Sequence, residues 1–84
     1  MSERRVTRTG KDRDGDIIKL CGSWGSVTKQ DAIRQIEKRI YKYFVQDSLG
    51  RRADVIVVEG PTGKHLRTDP NSSCSDNLDN LPNC

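Results

Sequence analysis

Long apolar runs are missing from this sequence. The longest, Val55-Ile56-Val57-Val58, is four residues, against the roughly 20 that a membrane-spanning helix requires, so no membrane partner is expected. The opening MSERRVTRTGKDRDG has no apolar stretch of the kind a secretory signal carries, and none is expected. Histidine occurs once, at position 65, with no serine or cysteine beside it in a nucleophile elbow, which speaks against hydrolytic catalysis and against an enzyme. The three cysteines, Cys21, Cys74 and Cys84, are odd in number and not spaced as pairs. That pattern argues against a disulfide framework and against a zinc site, and it predicts reduced thiols in a cytoplasmic protein with no cofactor.

What is present suffices for one small domain. Val, Ile, Leu and Phe make up 18 of 84 residues, just above the ~20% below which charged chains are usually disordered. The net charge of +3 is unevenly spread. Residues 1–68 hold all 15 Lys and Arg against nine acids, whereas residues 69–84 hold three Asp and no base. The basic body suits an anionic partner.

Residues 1–5 read as a frayed N-terminus, residues 6–68 as a single domain, and residues 69–84 as a polar acidic tail docked through Leu78 and Leu81. VTRT (6–9) and IIKLC (17–21) form a hairpin around Asp14-Gly15, a pair that tolerates positive φ. GSWGS (22–26) reads as a loop. Thr28 is a helix N-cap with Asp31 reaching back to it, and Ala32, Ile33, Ile36 and Ile40 recur at spacings of three and four as one apolar stripe. Gln30, Arg34, Gln35 and Lys38 fall on the opposite, solvated side. YKYFVQD (41–47), ADVIVVE (53–59) and KHLRT (64–68) read as strands. The predicted fold is α+β: a two-layer sandwich of one antiparallel sheet in ββαβββ order, with a helix over about 28–40 on one face.

The turn GPTG sets an expected register. With residues 61–63 as the loop, Glu59 pairs with His65 and Val58 with Leu66. Ile56, Val58, Leu66 and Phe44 would then face the helix. Tyr41, Tyr43, Val45, Val55, Val57, His65 and Arg67 would form an open face that needs a cover: the tail, a second copy or a ligand.

GPTGK falls short of a P-loop, which has four residues between its first glycine and the GK pair and then a helix. Asp12, Asp14 and Asp16 alternate as in a calcium loop, but Ile17 and Ser23 stand where glycine and glutamate are required, so the acids read as turn formers. YKYFVQD echoes an RNA-binding strand without its glycine–aromatic core.

Taken together, RTGKDRDGDI (8–17), ADVIVVEGPTGKHLRTDP (53–70) and NLDNLP (77–82) resemble a family of small bacterial proteins, domain of unknown function 3892, over about Val6 to Pro82. The resemblance implies no activity and no site residue, but it implies that the tail belongs to the domain. The expected function is a non-enzymatic binding module. Arg8, Lys11, Tyr43, His65 and Arg67 would engage an anionic ligand, nucleic acid or nucleotide. The alternative is a protein-interaction or homodimer module using the same face.

Overall fold

The structure, a computed structural model, describes residues 2–69, 78 and 81–84. Seven strands and one helix follow in the order β1 (Ser2–Arg5), β2 (Arg8–Lys11), β3 (Ile17–Gly22), β4 (Gly25–Thr28), α1 (Lys29–Glu37), β5 (Tyr41–Gln46), β6 (Arg52–Gly60) and β7 (Gly63–Thr68). The class is α+β, but the expected single sheet is in fact two: a four-stranded sheet ordered β1-β5-β6-β7 and a three-stranded sheet ordered β2-β3-β4. Helix α1 packs against strands of both.

Two strands lie where loop or fraying was expected. Residues 2–5 pair in parallel with β5, Arg4 beside Tyr43. They are held by side chains: the Arg4 guanidinium stacks 3.6 Å from the centre of the Tyr41 ring, and the Trp24 indole N–H donates to the Arg5 carbonyl at 2.7 Å. Those partners lie far along the chain, so local sequence could not reveal them. GSWGS likewise hides a tight hairpin in which Gly22 pairs with Gly25, placing Ser23 and Trp24 at the corner. Gly25 takes φ +120°, where a side chain would be strained.

The hairpin of β2 and β3 turns on Asp12, whose Oδ1 accepts from the amides of Asp14 and Asp16 at 2.9 and 3.0 Å. Gly15, at φ +84°, takes the left-handed position.

Helix α1 begins where the cap predicts, with the Asp31 amide donating to Thr28 Oγ1 at 3.3 Å. The Asp31 carboxylate does not return to the cap; it accepts from Arg34 at 3.0 Å. The helix also stops before 40. Arg39 takes φ +57°, its amide donates to the Ile36 carbonyl, and the Ile40 amide reaches the Gln35 carbonyl. This is a Schellman closure with arginine where glycine is usual. Ile40 therefore leaves the stripe and is 49% exposed.

The β6–β7 register is the main correction. Gly60 pairs with Gly63, leaving only Pro61 and Thr62 in the loop, so Glu59 faces Lys64, Val58 faces His65 and Val57 faces Leu66. A shift of one residue exchanges the two faces of a strand. Leu66 stays inward as expected, but Val55, Tyr43 and Val45 now join it in the core with Val6, Leu20, Ala32, Ile33 and Leu78, and Val57 and Tyr41 pack against it. Phe44, Ile56 and Val58 lie on the other side of the sheet, half-buried. The Arg52 guanidinium sits 3.8 Å from the Phe44 ring centre and also pairs with Glu3.

The expected reduced thiols are overturned. Cys21 is joined to Cys84 by a disulfide across a sequence separation of 63. Closing so long a loop constrains the unfolded chain more than a local bridge would. Beside it the Thr9 amide donates to the Pro82 carbonyl and the Cys84 amide to the Thr9 carbonyl. Cys74 and residues 70–77 lie outside the described residues.

Candidate anion-binding groove

The five residues expected to form one site do not come together. Tyr43 is fully buried, its hydroxyl donating to Gln35 Oε1 and accepting from Arg4. Burial pushes its phenol pKa up, so it remains a neutral donor. Gln35, expected on the solvated side, is half-buried by that contact. Arg8 and Lys11 belong to β2, in the other sheet, where Arg8 is the cross-strand partner of Cys21. His65 and Arg67 do share the outer face of β7, opposite Val58 and Ile56. The His65 ring nitrogen lies 3.3 Å from the Thr62 hydroxyl rather than beside Glu59. The Asp12, Asp14 and Asp16 carboxylates cluster within 4.8 Å, all exposed. Asp12 is already engaged by the turn amides.

A different set of cations converges. Helix α1 and the β6–β7 turn enclose a groove of about 560 Å³. Its helical wall carries Lys29, Ile33, Arg34, Glu37 and Lys38, and its hairpin wall carries Thr62 and Lys64. Local rules place each wall. The Thr28 cap starts the helix so that Ile33 turns into the core, while the residues flanking it line the mouth. The tight loop at Pro61-Thr62 brings Lys64 back alongside the helix.

The charges in the groove are unequal. Among the described residues its one carboxylate, Glu37, is taken by Lys64, whose ammonium donates to Glu37 Oε2 at 2.6 Å. That hydrogen bond raises the Lys64 pKa, keeping it charged. Arg34 shares Asp31 across an exposed i,i+3 pair. Lys29 and Lys38 make no side-chain hydrogen bond or ion pair with the described residues. Four cations thus line the groove around one apolar side chain, and two of them, Lys29 and Lys38, have no side-chain partner among the described residues. No aromatic ring lines the groove, so it offers charge and hydrogen bonds rather than a stacking platform.

Sequence reasoning passed over these lysines because Arg34 and Lys38 read as an ordinary solvated face. The available signal was the recurrence of bases at 29, 34 and 38 on one helix, with a further lysine just after the GPTG turn.

Among the described residues, no helix is long and apolar enough to cross a membrane. No curated protein and no solved structure matches this chain. The family model described as protein of unknown function (DUF3892) matches residues 5–82, and the chain therefore belongs to that family.

Proposed function

We propose that this chain is a small non-enzymatic binding module that engages the phosphates of a nucleic acid or nucleotide in the groove between α1 and the β6–β7 turn. The observation that carries this reading is the pair of ammonium groups, Lys29 and Lys38, that no side chain among the described residues engages, lining the groove with Ile33, Arg34 and Lys64. The basic balance of residues 1–68 supports it, since long-range attraction adds to the local contacts. Without aromatic side chains in the groove, recognition is of backbone charge and carries little base preference.

Titration of a fluorescent oligonucleotide, single-stranded and duplex, across a salt series tests the proposal. Affinity should fall steeply with salt, with a log–log slope of roughly −0.7 to −0.9 per phosphate contacted. Absence of binding at low salt removes the reading.

The self-association alternative loses the premise on which it rested, because Val55 is buried in the core and Val57 packs against it within the chain. Cytoplasmic placement likewise loses the support of reduced thiols.

A further inference from the structure

We propose that residues 81–84 form a redox-released strap over the free edge of β2, held shut by the Cys21–Cys84 disulfide. Strand β2 is an edge of the three-stranded sheet, and an uncovered edge presents unpaired amides and carbonyls. The strap satisfies this edge at Thr9. The Thr9 amide donates to Pro82 at 3.0 Å, the Cys84 amide donates to the Thr9 carbonyl at 3.1 Å, and Asn83 bridges Thr9 in parallel. Those contacts involve one residue of β2, and Pro82, Asn83 and Cys84 are all exposed. Thr9 is itself buried under the strap, its hydroxyl donates to the Leu78 carbonyl, and Leu81 packs against the core. The strap is thus anchored up to residue 81, and its last three residues are the part exposed to solvent. The covalent bond is what keeps its end in place.

The chemistry of opening is asymmetric. Leu20 points into the core, so alternation puts Cys21 on the opposite face of β3, where the end of the strap covers it and it is only 9% exposed. Cys84 belongs to the exposed end of the strap, so the attack is assigned to its sulfur. A thiolate of a dithiol reductant attacks Cys84 Sγ, forming a mixed disulfide and expelling Cys21 Sγ as a thiolate. Arg8, the cross-strand partner of Cys21, places a cation on that same face, which stabilises the leaving thiolate until it takes a proton from water. The second thiolate of the reductant then attacks its own sulfur in the mixed disulfide and releases Cys84. The net change is two protein thiols formed and one dithiol oxidised. Thr9 is then left without its backbone partners, and the edge is open.

The test uses full-length Cys74→Ser protein, oxidised with glutathione disulfide or reduced with dithiothreitol. Thiol titration should find none in the oxidised form and both Cys21 and Cys84 in the reduced form. Amide hydrogen exchange should show Thr9 protection falling by about tenfold or more on reduction, with Val45 in the core little changed. Cys84→Ser should match the reduced form whether or not reductant is present. Should that variant fail to fold, the comparison of oxidised and reduced Cys74→Ser protein decides alone. Titratable thiols after oxidation, or equal Thr9 protection in the two forms, would overturn the proposal.

Discussion

The Lys64 ammonium donates to the Glu37 carboxylate at 2.6 Å, tying the hairpin of β6 and β7 to the last turn of α1. Both side chains are largely solvent-accessible, so the pair adds little to stability. Its larger effect is on charge, since Glu37 is the one acid lining the groove among the described residues. Glu37→Gln should tighten oligonucleotide binding about two- to fivefold and leave the melting temperature nearly unchanged, as measured by fluorescence titration and calorimetry.

The pair also has a pH signature. Because the folded-state Lys64 pKa lies above its ordinary value of 10.5, the stabilisation is fully present below that value. It is lost as pH rises through the folded-state pKa. The small difference in thermal melts that so exposed a pair allows between wild type and Glu37→Gln should therefore be confined to pH below this alkaline range and vanish above it.

Arg39 pays the strain of a left-handed backbone, at φ +57°, to close the helix. Arg39→Gly should raise stability by about 1 kcal/mol in urea denaturation, since glycine takes this conformation without a Cβ clash. Loss of stability would mean that the Arg39 side chain contributes more than its backbone costs.

The observed register makes an opposite assignment of neighbouring residues on β7. Leu66 is buried, whereas Arg67 is exposed opposite Ile56. Leu66→Ala should cost about 2–5 kcal/mol, and Arg67→Ala should stay within about 0.5 kcal/mol. Val57→Ala should likewise cost more than Val58→Ala, the reverse of what a three-residue loop at 61–63 would predict.

The disulfide supplies a stability test separate from the exchange measurement. A loop closed over a separation of 63 residues should be worth about 4 kcal/mol by chain-entropy arguments. Reduction should lower the midpoint of chemical unfolding accordingly. An unchanged midpoint would show that the link forms too rarely to matter.

These tests also separate what was legible in the sequence from what was not. The Thr28 cap, the Asp12–Gly15 turn and the α+β class follow from local chemistry, and each stands in the structure. The faces of β7 followed, with Leu66 inward and Arg67 outward, but those of β6 did not, because Gly60 and Gly63 both fit the turn and a change of loop length by one residue reverses β6 relative to β7. Strand β1 was hidden because its anchors, Tyr41, Tyr43 and Trp24, are distant in sequence. Tyr43 looked like a binding residue because an aromatic on a strand fits core and surface alike. Only the partners of its hydroxyl, Gln35 and Arg4, show why a phenol could be buried. The groove was illegible for a related reason. Its two walls meet through tertiary packing, and neither lysine set carries a motif alone.

Chemical-shift mapping of the 15N-labelled protein with a short single-stranded DNA tests the central claim most directly. The account predicts shifts concentrated at Lys29, Ile33, Lys38 and Lys64 that fade as salt is raised, and that vanish in Lys29→Glu/Lys38→Glu protein of unchanged stability. Shifts centred instead on Arg8 and Lys11, or on His65 and Arg67, with the groove silent, would contradict it.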